Sequence, residues 1–125
     1  MQRRERGAAV VDFVLVLVVL VPLFLGVLQV ALVLFVRNTA ANAAADGARY
    51  AATADRDGGD GILRTRSLLQ GVLASRYAEQ VRYRQVLVDG APAAEITIHL
   101  SVPALGLGGP AIEFDVAAHA VEEQP

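Results

Sequence analysis

The run from Phe13 to Val36 constrains this chain more than any other feature: 24 consecutive residues without a charge, with Gln29 as the one strongly polar side chain. As a helix it would be roughly 36 Å long, enough to cross a hydrocarbon core of about 30 Å with some tilt. Buried helices of soluble proteins seldom run this long without a charge, so a single membrane span is expected. Arg3, Arg4 and Arg6 precede the run, and only Arg37 follows it closely. Basic residues are retained on the cytoplasmic side, which predicts a single-pass protein of the cell membrane with its N-terminus in the cytoplasm and its C-terminal domain extracytoplasmic. A secretory signal also begins basic and then apolar, and Ala41-Asn42-Ala43 offers small residues for a cut. Signal apolar regions usually extend over only about 7–15 residues, however.

The 125 residues allow one domain beyond the span. With no cysteine, disulfides, thiolate metal sites and a cysteine nucleophile are all excluded. A net charge of −2 leaves no basic footprint for nucleic acid. All the basic residues are Arg and Ala is abundant, a composition that points to a GC-rich bacterial genome.

Three regions are expected: a cytoplasmic leader at 1–7, a transmembrane helix with its extension at 8–54, and a small extracytoplasmic α+β domain at 55–125. The alanine-rich stretch after Arg37 predicts that the helix continues out of the membrane to about Ala54. Ala40, Ala44, Gly47, Ala48 and Ala51 recur at three- and four-residue spacing and form a smooth helix-packing face. Gly47 costs about 1 kcal/mol inside a helix, which suggests a close contact there. The stretch Asp55–Gly61 reads as a turn, and a second helix is expected over Ile62–Ala78. Its apolar side carries Ile62, Leu69, Val72, Leu73 and Tyr77, opposite Arg64, Ser67, Gly71 and Ser75.

The period then changes to two. Strands are expected over Val81–Val88, over 95–102 and over 112–121, with Asp89-Gly90 opening a connection that runs to Ala93. Ile96, Ile98, Leu100 and Val102 face one way, with Ile112, Phe114, Val116, Ala118 and Ala120 inward on the third strand. Short connections predict an antiparallel meander with one apolar face buried against the two helices.

Several chemical signals are weak. Asp55, Asp57 and Asp60 lie in a glycine-rich stretch, but EF-hand spacing fails because Gly59 and Arg66 stand where ligands are needed. His99 and His119 are expected on outward strand faces without a well-placed acid partner. Arg82 and Arg84 read as the solvated face of a strand. The loop Leu105–Gly109 lacks the Lys-Ser/Thr of a phosphate cradle and opens no helix. No catalytic cluster, metal, cofactor or small-molecule substrate is expected, so a membrane-anchored enzyme is disfavoured.

The informative constellation is at the N-terminus: Arg3-Arg4-Glu5-Arg6-Gly7-Ala8-Ala9-Val10-Val11-Asp12-Phe13. A basic leader ends in glycine, and one acid stands at the edge of the span. An unpaired acid inside a membrane costs roughly 2.5–3.5 kcal/mol on insertion scales. At the interface, the helix N-terminus alone would favour it. If the chain is cut after Gly7, Ala8 gains an ammonium, and Asp12 is the nearest carboxylate in the helix. Pairing in its own chain or a neighbour's would ease the burial of both charges in a helical bundle.

This junction resembles a type IV pilin leader. More closely, the chain resembles the TadE-like pseudopilins of the Flp/Tad tight-adherence system. The likeness runs through Arg6-Gly7 with Asp12-Phe13, the long span, the segment from Asn38 through Gly47-Ala48-Arg49 to Ala51, and the ending EFDVAAHAVEE. The family usually carries Glu where Asp12 stands. The resemblance implies a pilin-like α+β fold and a minor, non-enzymatic component of Flp/Tad pilus assembly. It implies a prepilin peptidase cutting between Gly7 and Ala8, alignment of the mature N-terminus by Asp12, and partners among the Flp/Tad assembly proteins and other pilin-like subunits. The competing expectation is an uncleaved single-pass protein whose outer domain binds an envelope partner.

Overall fold

The computed structural model describes residues 2–53, 55–73, 78–105 and 111–123. The first helix, α1, runs Gln2–Ala51 as 50 continuous residues with Pro22 inside it, about 75 Å from end to end. Its environment changes along its length. The most apolar 18-residue window has a mean hydropathy of 2.9 and is 0% buried, and nearly all the large side chains from Val10 to Phe24 stand bare. Higher up, Leu32 and Val33 pack against the core, and Val36, Ala40, Ala44 and Ala48 are fully buried in it.

The helix ends at Ala51, short of the Ala54 expected from alanine content; Ala54 itself lies outside the described residues. The last turn is closed from elsewhere in the chain, where Glu123 N–H donates to the Ala52 carbonyl at 2.8 Å. Helix α2 spans Gly58–Gln70, starting four residues before the expected Ile62. The reason is a capping box: the Asp57 carboxylate accepts from Asp60 N–H at 3.0 Å, and Asp60 accepts from Asp57 N–H at 3.1 Å. These reciprocal bonds satisfy helix-end donors that a glycine-rich start would leave open. The expected continuation past Gln70 falls partly on 74–77, outside the described residues. Leu69 and Leu73 are buried as the helical spacing implies, but Val72 is 58% exposed.

Strands β1 (Ala78–Val88), β2 (Ala91–Val102) and β3 (Ile112–Val121) form an antiparallel sheet in the order β1-β2-β3. The β1–β2 connection is tighter than expected. Asp89 and Gly90 alone make the turn, with φ of 51° and 81°, the pair of left-handed residues that a two-residue I′ hairpin requires. Both helices cover the same face of the sheet. Ile96, Ile98, Leu100 and Val102 of the central strand are 0% exposed, each contributing roughly 1.5–3 kcal/mol by burial. On β3 the inward set is Phe114, Val116, Ala118 and Ala120, all at least partly buried, while Ile112 at the strand's start is exposed.

Candidate functional site

Gly7, Ala8 and Asp12 all lie on exposed helical backbone of α1. A side chain added at Gly7 would meet nothing within 4 Å. Ala8 and Asp12 are four residues apart, so they share one helix face, one turn from each other. Asp12 makes no ion pair among the described residues.

The small-residue face of α1 points into the domain. Ala40, Ala44 and Ala48 are 0% exposed, Ala51 is 5% exposed, and Gly47 is buried between them. Gly47 faces Gly61 and Thr65 of α2: a Cβ at Gly47 would collide with Thr65 Oγ1 and stand 3.0 Å from the Gly61 carbonyl. The converse holds at Gly61, where a Cβ would be 2.6 Å from the Ala51 Cβ and 2.9 Å from the Gly47 carbonyl. Small residues on both helices permit this near-backbone approach. Thr65 is fully buried, and its hydroxyl donates to the Gly61 carbonyl at 2.8 Å. The sequence reading had no role for Thr65; its signal is the four-residue stripe Gly61, Thr65, Leu69.

The rim of this contact is polar. Arg64 pairs with Asp46 at 3.1 Å, and both Arg64 and Arg56 lie over the Tyr50 ring, at 5.9 and 4.5 Å from its centroid. A half-exposed pair of this kind is worth about 0.2–1 kcal/mol. Gly58 lies under the Tyr83 ring. The Tyr83 hydroxyl reaches Glu122 at 3.4 Å, and Gln85 donates to both Glu122 carboxylate oxygens. Burial pushes the Tyr83 phenol above its ordinary value, and the negative charges of Glu122 and then Asp57 add to that.

The solvent face of the sheet carries cross-strand pairs. Arg84 bonds Glu95 at 2.9 Å. His99 does have an acid partner, contrary to expectation: the β2–β3 register sets Asp115 opposite it, with Nδ1 2.7 Å from Oδ1. His119 is exposed on the same face, and Arg82 bonds Gln80 at 2.7 Å. The three aspartates of the 55–61 stretch have separate positions: Asp57 and Asp60 cap α2, and Asp55 is exposed. Among the described residues no group of three or more His, Cys, Asp or Glu side chains converges as metal ligands.

One long apolar helix, bare below and buried above against a second helix and a three-stranded antiparallel sheet, defines a pilin-like, single-span α+β protein. The family model described as TadE-like protein matches residues 7–49, from the glycine of the junction to the last turn of α1. Over that N-terminal helix the chain is similar to TadE-like proteins. No curated protein and no solved structure shows significant similarity to it.

Proposed function

We propose that this chain is a minor pilin-like component of a Flp/Tad pilus assembly system, matured by a prepilin peptidase that removes residues 1–7. The observation that carries the reading is the junction. The family match begins at Gly7, and one turn beyond Ala8 the only acid between the cut and the apolar run, Asp12, shares its helix face. After cleavage the Ala8 ammonium and the Asp12 carboxylate neutralise each other within one chain or between packed neighbours, which lowers the cost of bringing both into a helical bundle. The leader is cytoplasmic, as Arg3, Arg4 and Arg6 dictate. The upper half of α1 and the sheet then stand outside the cytoplasm, where the domain meets other subunits. The bare apolar surface of α1 from Val10 to Phe24 stays in the bilayer until the assembly machinery draws on it.

The test is the intact mass and N-terminal sequence of the membrane-extracted protein, with and without an active prepilin peptidase. A peptidase-dependent N-terminus at Ala8 is expected. Asp12→Ala should leave that cleavage in place and reduce pilus assembly. An intact N-terminus under both conditions would refute maturation and favour an uncleaved single-pass protein with an envelope partner. A cut near Ala43 would make the apolar run a discarded signal.

A further inference from the structure

Both ends of the Gln29 amide are occupied. Nε2 donates to the Pro103 carbonyl at 3.3 Å, and Oε1 accepts from Leu105 N–H at 2.7 Å. Gln29 therefore grips the two backbone groups that flank Ala104, in the loop leaving β2. Measured along the helix from Phe13, Gln29 stands about 24 Å up. A hydrocarbon layer about 30 Å thick that begins at Phe13, beside the charged Asp12, still surrounds Gln29. Backbone brought to that depth must find its hydrogen-bond partners within the protein, and Gln29 supplies two of them, for the Pro103 carbonyl and the Leu105 N–H.

The surroundings fit such a depth. Pro103 is exposed and Leu105 is 40% exposed, so the loop presents apolar side chains. Between loop and helix runs a groove of about 350 Å³, walled by Val21, Pro22, Leu25 and Gly26 on one side and Ala104 and Leu105 on the other. Its helical wall lies about 12–20 Å along the axis from Phe13, well inside the layer. The groove is continuous with the bare apolar surface of α1, which the bilayer covers. Gln29, the one polar side chain among the described residues that line it, already has its partners, so among these residues no polar side chain remains to specify a protein, whereas acyl chains need none.

We propose that the Pro103–Leu105 loop is sunk into the bilayer leaflet on the domain's side, that lipid acyl chains fill the groove, and that Gln29 is the clamp holding the loop at that depth. The proposal needs the membrane span and is independent of cleavage or pilus assembly. The domain then does not stand clear of the membrane on a stalk but rests partly within it.

The chain has no cysteine, so single probes attach cleanly. Ala104→Cys and, as a control beside the distal β1–β2 turn, Leu87→Cys would be labelled with an environment-sensitive fluorophore. The full-length protein would be placed in phosphatidylcholine vesicles containing acyl-chain spin labels. The probe at 104 should emit to the blue of the probe at 87, be quenched severalfold more by the spin-labelled lipid, and be shielded from aqueous iodide. Gln29→Ala should lower the lipid quenching at 104 severalfold and restore iodide access. Equal iodide access at 104 and 87 would overturn the proposal by placing the loop in water. Shielding from both quenchers that disappears as protein is diluted in lipid would overturn it in favour of a second copy of the chain in the groove. Unchanged quenching in Gln29→Ala would overturn the clamp.

Discussion

Replacing Gly47 with alanine should weaken this domain, although glycine to alanine in a helix interior ordinarily strengthens it by about 1 kcal/mol. The added methyl would collide with Thr65 Oγ1 and stand 3.0 Å from the Gly61 carbonyl and 3.1 Å from Thr65 Cβ. The hydroxyl can turn aside only by giving up its bond to the Gly61 carbonyl in a fully buried site. The carbonyl and the Cβ belong to the body of α2 and yield only if the helices part. Overpacking and the lost hydrogen bond together cost about 2–4 kcal/mol, so a net loss of about 1–3 kcal/mol remains after the propensity gain. For a domain of this size each kcal/mol lowers Tm by about 4–8 °C. The assay is thermal unfolding of the detergent-solubilised full chain, followed by susceptibility to pulse proteolysis, because the span itself stays helical. Gly26→Ala is the internal control, since among the described residues nothing lies within 4 Å of a Cβ at that position; it should leave the domain's Tm unchanged. Thr65→Ala removes the colliding oxygen, so Gly47→Ala should cost about 1 kcal/mol less in that background, a coupling expected only of residues in contact. A stabilised Gly47→Ala, or additive behaviour with Thr65→Ala, would refute the close approach of the two helices.

Two further outcomes test the domain formed by α2 and the sheet. Asp57→Ala removes one half of the capping box and should destabilise the domain by about 0.5–2 kcal/mol, read in the same melting assay; an unchanged Tm would mean that α2 does not depend on its cap. Tyr83 holds its proton above the ordinary tyrosine value of about 10. A folded-state value raised in this way contributes stability that is fully present below that ordinary value and is lost as pH rises through the raised one. Tyr83→Phe should therefore flatten the fall in Tm on the alkaline side, and should remove late-titrating phenolate absorbance that the unmutated protein shows; an equal alkaline fall in both proteins would show that Tyr83 does not drive it.

Much of the architecture was legible because its determinants are local. Alternation along β2 places Ile96, Ile98, Leu100 and Val102 on one face whatever the partner, and burial on that face follows. Asp89-Gly90 announces a hairpin, although its tightness depended on both residues taking positive φ. The start of α2 was misplaced because Asp57 and Asp60 read equally as loop acids; only their reciprocal bonds reveal a cap. His99 seemed to lack an acid because its partner, Asp115, is brought opposite by a register that no local pattern specifies.

The apolar run shows most sharply what sequence decides and what it leaves to tertiary structure. By itself the sequence determines that Phe13–Val36 must be covered, that it is long enough to span a membrane, and that its charged flank lies at the N-terminal end. Hydrophobicity expresses avoidance of water and does not say what replaces the water. Tertiary structure divides the run: most of its side chains from Phe13 to Phe24 stay exposed, while Leu32, Val33 and Val36 are covered by the chain's own domain. It also gives Gln29, a lone polar side chain in the sequence, its purpose, because the backbone groups that satisfy it arrive from more than seventy residues away.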